Sequence, residues 1–235
     1  MPKRHLIGCA VLAAATIGLT ACGSSSSGGN SGQTTSPTAT TGQSANGCST
    51  PPALQTQHKQ FSHEPPLTIA HTTYTGRVVT NCGTIVIALD GKNAPHTVNS
   101  FAFLSSQGYF TNTPCHRLTT SGIYVLQCGD PTGTGTGGPG YTIPDENLKG
   151  AKYPAGTVAM ANTGRPHTGG SQFFFVYANT NLPPQYTPFG HVTSGLDVLT
   201  RIAHAGTNNA FGQGDGAPNQ PVVIQTFDVT KGAPS

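Results

Sequence analysis

The chain has 235 residues, of which only 8% are charged, whereas Gly (31) and Pro (19) are abundant. This composition excludes long helices laced with ion pairs and favours a turn-rich β protein, and the length leaves room for one domain with a substantial core. Removing Lys3 and Arg4, which lie in a segment expected to be cleaved, reduces the eleven basic residues to nine, against eight acidic ones. Because such a balance offers no electrostatic footprint for phosphate backbones, we expect no nucleic-acid binding.

The first 21 residues have the pattern of an export signal. Lys3 and Arg4 precede an apolar run at 6–19, about 14 residues, which is too short to span a bilayer and suits the hydrophobic region of a signal peptide. The run ends in Leu19-Thr20-Ala21-Cys22, which resembles the bacterial lipobox. We expect residues 1–21 to be cleaved and Cys22 to carry a lipid that holds the protein on the extracytoplasmic face of the cell membrane. The alternative is a plain secretory signal with an incidental cysteine.

A low-complexity stretch follows Cys22. Residues 23–47 carry no charge, and 18 of these 25 residues are Gly, Ser or Thr. Since such a segment cannot build a core, we expect residues 22–60 to be a disordered linker and residues 61–235 to form the folded domain, with order beginning somewhere between Cys48 and Tyr74. Disulfides are permitted outside the cytoplasm, and the remaining cysteines allow three pairings, among which the sequence does not choose. They are Cys48, Cys82, Cys115 and Cys128.

The first predicted elements are a hairpin and a short helix. Two β-rich runs at 74–80 and 84–89 flank Asn81-Cys82-Gly83, which predicts a tight turn between two strands. Pro95 suits a first helical turn, and the apolar residues that follow it predict an amphipathic helix ending near Gly108.

The rest of the chain predicts further short strands and one more helix. The strands are expected at 114–118, 124–127, 156–161, 173–177 and 221–230. The helix is predicted with Ser194 as its N-cap and Gly206 as its terminator. Many antiparallel strands with two helices favour a mainly β fold, a closed barrel capped at its ends.

Three separated segments form one motif set. They are Cys115-His116-Arg117-Leu118 continuing to residues 124–130, then Met160-Ala161-Asn162, then Gly170-Ser171-Gln172-Phe173-Phe174. Their order and spacing resemble the signature of the cyclophilin family, over residues 84–230. The resemblance implies a closed eight-stranded antiparallel β-barrel capped by two α-helices, with an active groove on its outer surface and peptidyl-prolyl cis-trans isomerase activity.

Arg117 is the candidate catalytic residue. If Ser121-Gly122-Ile123 closes a hairpin, Arg117 lies opposite Gln127, and strand alternation puts Val125 on the same face. The ordinary interpretation is an exposed arginine in a surface ion pair. Because the sequence has so few acidic residues, we instead expect an uncompensated guanidinium that awaits a ligand.

The resemblance implies a role for each residue of the groove. Arg117 would stabilise the twisted X-Pro amide, over a pocket floored by Phe174, Tyr124 and Val125. The substrate backbone and the remaining pocket contacts would be held by Gln127, Ala161, Asn162, Gln172, Leu182 and Tyr186. This chemistry requires no nucleophile, metal or cofactor, so we expect none, and proline-containing polypeptides are the expected partners of a monomeric protein.

The sequence departs from the family pattern at the groove. Two more residues than expected separate Arg117 from Gln127, which enlarges the hairpin tip and makes the assignment of Tyr124 less secure. Asn181 stands where many eukaryotic relatives have Trp, Tyr186 stands at the position of a His, and the chain contains no Trp. We therefore expect weak binding of the cyclic peptide cyclosporin.

Other patterns are weaker. Gly133-x-Gly135-x-x-Gly138 matches a dinucleotide fingerprint, but Pro139 follows it, so a loop is expected. Cys115 and His116 point to opposite faces if they lie on one strand, which argues against a thiol protease or metal site. Extending the hairpin register places Cys115 opposite Gly129, so a Cys115–Cys128 bridge is not expected without a bulge.

Two functions of other classes stay open at this point. One is a non-catalytic prolyl-peptide binding module or holding chaperone, which could dispense with Arg117. The other is a purely structural envelope lipoprotein, which would not require the Arg, Gln and Phe set together.

Overall fold

The computed structural model describes residues 47–56 and 58–234, and these form ten strands and two helices. The helices are α1 (Pro95–Ser106) and α2 (Leu196–His204). The strands are β1 (Thr73–Thr80), β2 (Gly83–Asp90), β3 (Thr113–Pro114), β4 (Arg117–Thr119), β5 (Val125–Cys128), β6 (Thr157–Met160), β7 (Phe173–Val176), β8 (Pro188–Ser194), β9 (Asp215–Gly216) and β10 (Val223–Lys231).

All ten strands belong to one curled antiparallel sheet, in the order β3-β10-β1-β2-β8-β6-β7-β5-β4-β9. The mainly β class and the two helices are as predicted. The predicted closed barrel of eight strands is wrong for the described part of the chain, because its sheet has ten strands and the two outermost, β3 and β9, do not pair with each other. Both end strands are only two residues long, and Pro114 in β3 has no N–H to donate to a further neighbour.

The predicted N-terminal hairpin and first helix are confirmed. β1 and β2 pair from Thr73–Asp90 to Thr80–Gly83. Helix α1 begins at Pro95 and buries Val98, Phe101 and Leu104.

The second helix begins differently from the prediction. Ser194 is the last residue of β8, a strand that was not predicted from the sequence. The N-cap of α2 is Gly195, which has a left-handed conformation with φ 91°. A side chain at residue 195 would collide with the backbone of Thr84, because a Cβ there would lie 2.4 Å from its carbonyl oxygen. Glycine is therefore required for the tight turn from strand to helix. The helix ends near Gly206 as expected.

The main core lies between the sheet and α1, and aromatic rings fill its centre. Phe101 of α1 contacts Phe110, Phe173, Phe189 and Phe227, with ring centroids between 4.7 and 5.7 Å apart. All five rings are buried. This packing fixes β7, β8 and β10 beneath one helix and leaves the opposite face of β7 for a second cluster.

The folded part extends further toward the N-terminus than the predicted boundary at residue 61. Cys48 is 1% exposed and forms a disulfide with Cys82 in the turn between β1 and β2. The Gln55 side chain donates to the carbonyl of Tyr109 at 2.9 Å. The predicted signal peptide, Cys22 and most of the linker lie outside the described residues. Within the described part, no helix is long and apolar enough to cross a membrane.

Candidate active site

A transverse row of paired residues crosses four strands and defines the site. Arg117 of β4 pairs with Gln127 of β5, Gln127 pairs with Phe174 of β7, and Phe174 pairs with Ala159 of β6. Directly paired residues of an antiparallel sheet project to the same face. The predicted register of Arg117 opposite Gln127 is therefore confirmed, and the row places a cation, an amide and an aromatic ring side by side.

Arg117 has an acidic partner, contrary to the expectation of an uncompensated guanidinium. Its Nε donates to Oδ1 of Asp215 at 2.8 Å and its Nη2 donates to Oδ2 at 2.7 Å. These hydrogen bonds raise the pKa of Arg117 above its ordinary value, so the guanidinium is permanently charged. No hydrogen bond to Nη1 is present among the described residues, which leaves this nitrogen available for a ligand.

Asp215 was missed in the sequence because no local pattern identifies it. It lies 98 residues after Arg117, in the two-residue strand β9 that pairs with Leu118 and Thr119 of β4. The surrounding run of Gly, Asn and Gln predicts only a loop. The small number of acidic residues in the chain therefore did not justify the expectation that Arg117 has no acidic partner.

The predicted apolar pocket residues, with the exception of Tyr124, gather in a cluster that is separate from the main core. The cluster consists of buried and partly buried side chains on and around the outer face of β5, β6 and β7. Its members are Val125, Tyr153, Ala159, Phe174 and Val176, with Ile123, Ala151, Ala161, Leu182 and Tyr186 packed against them. Phe173 and Phe175 belong to the main core, so strand alternation separates Phe174 from its neighbours as predicted.

Tyr153 fixes one wall of this cluster and was not predicted. Its hydroxyl donates to the carbonyl of Tyr186 at 2.8 Å and accepts the N–H of Tyr186 at 3.0 Å. The ring of Tyr186 lies edge-on to Phe174 with centroids 5.6 Å apart. The Tyr153 hydroxyl thus holds both main-chain polar groups of Tyr186, the residue that covers Phe174.

Tyr124 lies elsewhere. Its ring packs edge-on against Tyr177, with centroids 6.0 Å apart, and it is not a member of the apolar cluster. Ile123 contacts the cluster instead. Tyr124 directly precedes Val125, and neighbouring residues of an extended chain project to opposite faces, so the side chain of Tyr124 points away from the cluster that Val125 enters.

The polar candidates line an adjoining groove. Gln127, Ala161, Asn162 and Gln172 all border a cavity of about 800 Å³. The side chain of Gln127 donates to the side-chain Oε1 of Gln172 at 2.8 Å, and Nε2 of Gln172 donates to the main-chain carbonyls of Gly135 and Gly137 in the neighbouring loop. The Asn162 side chain donates to the carbonyl of Gln185 and accepts the N–H of Gly164, which fixes its orientation beside the groove.

Asp130 organises the Gly-rich loop that borders this groove. Its buried carboxylate accepts hydrogen bonds from Thr132 and from the N–H groups of Gly135 and Gly137. Burial raises the pKa of Asp130, but these hydrogen bonds outweigh burial and the net pKa lies below the ordinary value. The segment that matches a dinucleotide fingerprint is a loop, as the sequence predicted, and the structure shows that it folds around the Asp130 carboxylate.

A disulfide joins Cys115 to Cys128, contrary to the expectation that no such bridge forms without a bulge. β4 begins only at Arg117, so Cys115 lies outside the ladder and the alternation rule does not apply to it. Its N–H donates instead to the carbonyl of Val222. The bridge closes the hairpin next to the Arg117–Gln127 pair.

Neither cysteine of this bridge is a free thiol, and burial lowers the pKa of the neighbouring His116. In the part of the chain that the structure describes, no cluster of three His, Cys, Asp or Glu side chains could hold a metal ion.

A model of the family described as cyclophilin type peptidyl-prolyl cis-trans isomerase/CLD matches residues 75–229. The chain belongs to the cyclophilin family. The cyclophilin domain therefore includes the transverse row, the apolar cluster and the four candidate residues that border the groove.

Curated relatives of this cyclophilin come from bacteria and eukaryotes. The probable peptidyl-prolyl cis-trans isomerase B of Mycobacterium leprae is 48% identical over 169 residues, which cover 66% of this chain and 56% of that protein. The Mycobacterium tuberculosis protein of the same name is 50% identical over 161 residues, covering 63% of this chain and 51% of the relative. The chain thus spans about half the length of these relatives. Human peptidyl-prolyl cis-trans isomerase-like 1 is 42% identical over 135 residues, which cover 55% of this chain and 80% of that protein.

Solved structures agree with the fold. A crystal structure of a cyclophilin type peptidyl-prolyl cis-trans isomerase from Cryptosporidium parvum superposes with a TM-score of 0.59 at 29% identity, covering 68% of this chain and 99% of the other. A second structure of that protein, determined in the presence of the dipeptide Ala-Pro, gives a TM-score of 0.57 at 30% identity and covers the same shares of both chains.

Proposed function

We propose that this cyclophilin is a peptidyl-prolyl cis-trans isomerase that accelerates rotation about X-Pro bonds in exported polypeptides. The observation that carries the proposal is the transverse row, in which Arg117, Gln127 and Phe174 share one face of the sheet in direct register. An apolar surface for a prolyl ring next to a fixed cation is what this reaction needs. The Ala-Pro dipeptide named with the Cryptosporidium structure supports a proline-containing ligand.

The chemistry follows from the electronic structure of the amide. Peptide rotation faces a barrier of about 18–20 kcal/mol because the nitrogen lone pair is delocalised into the carbonyl. Twisting the bond localises that lone pair on the prolyl nitrogen, where Nη1 of Arg117 can donate a hydrogen bond to it. The planar ground state offers no such acceptor, so the interaction stabilises the transition state selectively.

The remaining candidates bind and orient the substrate. The prolyl ring occupies the apolar cluster around Phe174, Val125 and Leu182, with Tyr186 at its edge. Gln127, the main chain of Asn162 and Gln172 hold the flanking peptide in the groove. No step requires a covalent intermediate.

A protease-coupled isomerisation assay on an X-Pro peptide tests this function. Arg117→Ala should lower kcat/KM at least about tenfold, which corresponds to about 1.4 kcal/mol of lost transition-state stabilisation. Peptide affinity, measured by calorimetry, should largely persist. Arg77→Ala, which removes an exposed arginine of β1, is the matched control and should retain full activity.

Two results would overturn the proposal. Turnover that is unchanged in Arg117→Ala would remove the assigned catalyst. Tight peptide binding without any turnover in the wild type would establish the non-catalytic receptor or holding chaperone instead.

We also propose an extracytoplasmic, membrane-anchored location, supported by the export pattern of residues 1–21 and by the cysteine at position 22. The protein acts there as a monomer on exported substrates, with weak affinity for cyclosporin. Cys22→Ala should move the expressed protein from the membrane fraction to the soluble fraction. Retention of this variant in the membrane fraction would contradict the lipid anchor.

A further inference from the structure

We propose that Asp215 is the positioning residue for Arg117, fixing the guanidinium so that the opposite edge, formed by Nη1 and the second N–H of Nη2, is left for the substrate. The inference rests on the proposed isomerase function and adds to it a residue outside the three motif segments. It starts from the geometry of the pair. Asp215 binds the edge of the guanidinium formed by Nε and Nη2. Two parallel hydrogen bonds to one edge fix both the position and the plane of the group.

The main chain of Asp215 is itself held by hydrogen bonds within its turn. The N–H of Asp215 donates to the carbonyl of Gly212 at 2.9 Å, and the carbonyl of Asp215 accepts the N–H of Phe211 at 3.0 Å. The side chain of Asn209 accepts the N–H of Gly214 at 2.7 Å. A closed turn of this kind leaves Asp215 little freedom to follow a moving arginine.

The same turn is attached to the strand that carries Arg117. Asp215 pairs with Thr119 of β4, and the N–H of Thr120 donates to the carbonyl of Gly214 at 2.7 Å. A Cβ on Gly214 would lie 2.7 Å from that of Ser121, so the turn packs directly against the hairpin tip. Arg117 and Asp215 therefore belong to one small rigid unit.

Fixing Arg117 in this way affects catalysis in two opposite directions. A free arginine side chain would lose its rotamer freedom when it engages the twisted amide, and this entropy loss would raise the barrier. Because Asp215 already holds the side chain in the folded protein, the loss occurs on folding and not in the catalytic step. The carboxylate also offsets part of the positive charge near the reacting nitrogen. Because both groups are partly exposed, at 35% for Arg117 and 25% for Asp215, solvent screens this offset and positioning dominates.

The test compares Asp215→Ala and Asp215→Asn with Asp197→Ala, which removes the carboxylate of a comparable pair with Arg201 on the surface of α2. Asp215→Ala should lower kcat about tenfold while KM stays within about twofold. Asp215→Asn, which can accept only one of the two hydrogen bonds, should give an intermediate kcat. Asp197→Ala should match the wild type.

A spectroscopic readout separates positioning from a purely structural role. Hydrogen exchange of the Arg117 Nε–H, followed by NMR, should accelerate in Asp215→Ala and not in Asp197→Ala. Unchanged kcat in both Asp215 variants, or a rise in kcat in both, would overturn the inference. If the wild type is active and Arg117→Ala is not, the proposed isomerase function stands whatever the Asp215 variants show. Failure of the Asp215 inference is therefore distinguishable from failure of the proposed function.

Discussion

The Cys115–Cys128 disulfide should stabilise the fold and also hold the catalytic pair in register. β4 and β5 pair through only two residue pairs, Arg117–Gln127 and Leu118–Leu126. The bridge closes this short ladder at the end where Arg117 lies. Replacing both cysteines with alanine should therefore lower stability and loosen the hairpin at the site.

The expected magnitude follows from the sequence separation of the bridged cysteines. A separation of 13 residues gives about 3 kcal/mol of stabilisation in the chain-entropy treatment of the unfolded state. The Cys48–Cys82 bridge spans 34 residues and should contribute about 4 kcal/mol by the same relation. The Cys48–Cys82 bridge, which ends in the turn between β1 and β2, is therefore expected to be the more stabilising of the two. It serves as the control for the effect on the site.

The assay measures both properties on both double variants. Urea unfolding gives the loss of stability, and protease-coupled turnover is recorded well below both unfolding transitions. The double variant Cys115→Ala with Cys128→Ala should lower kcat roughly threefold. The β4–β5 hairpin that carries Arg117 is loosened, whereas the hydrogen bonds from Arg117 to Asp215 remain. Cys48→Ala with Cys82→Ala should lose more stability and keep its kcat. Equal kcat in the two variants would refute the reasoning.

Three further results are expected. Phe174→Ala should lower the free energy of unfolding by about 3–5 kcal/mol, measured in urea, and should raise KM. Phe175→Ala, which alters the main core, should lower stability by as much and leave KM unchanged. Equal KM values in the two variants would contradict the assignment of Phe174 to the proline pocket. Because the pKa of Asp130 is lowered in the folded state, its ionised form stabilises the fold above the ordinary carboxyl pKa, and this stabilisation is lost as pH falls through the lower folded value. Unfolding measured from neutral pH to below about pH 4 should show a smaller acid loss in Asp130→Asn than in wild type, and parallel curves would argue against this role. Cyclosporin should bind weakly by calorimetry because the chain has no Trp, and a dissociation constant as tight as that of eukaryotic relatives would disprove this expectation.

Local patterns predicted much of the fold and the site. The β1–β2 hairpin follows from two alternating runs around a turn. The placement of Phe174 apart from Phe173 and Phe175 follows from strand alternation alone. The pairing of Arg117 with Gln127 needed only the position of the hairpin turn. Each of these features depends on residues close together in the chain.

The features that the sequence did not predict depend on distant contacts or on where a ladder stops. Asp215 reaches Arg117 through a two-residue strand, 98 residues away, and no propensity marks so short an element. The Cys115–Cys128 bridge is not predicted by the β4–β5 register because Cys115 lies beyond the last pair of that ladder. Tyr153 acts on the backbone of Tyr186 through tertiary packing, which leaves no pattern in the sequence.

The most direct test of the account is NMR exchange spectroscopy on an Ala-Pro peptide at equilibrium, since it measures the rotation itself without a coupling protease. The wild type should accelerate cis-to-trans and trans-to-cis exchange while leaving the cis:trans ratio of the free peptide unchanged. Arg117→Ala should bind the peptide and lose most of this acceleration. Exchange in the presence of wild-type protein that is no faster than the uncatalysed rate would contradict the central claim.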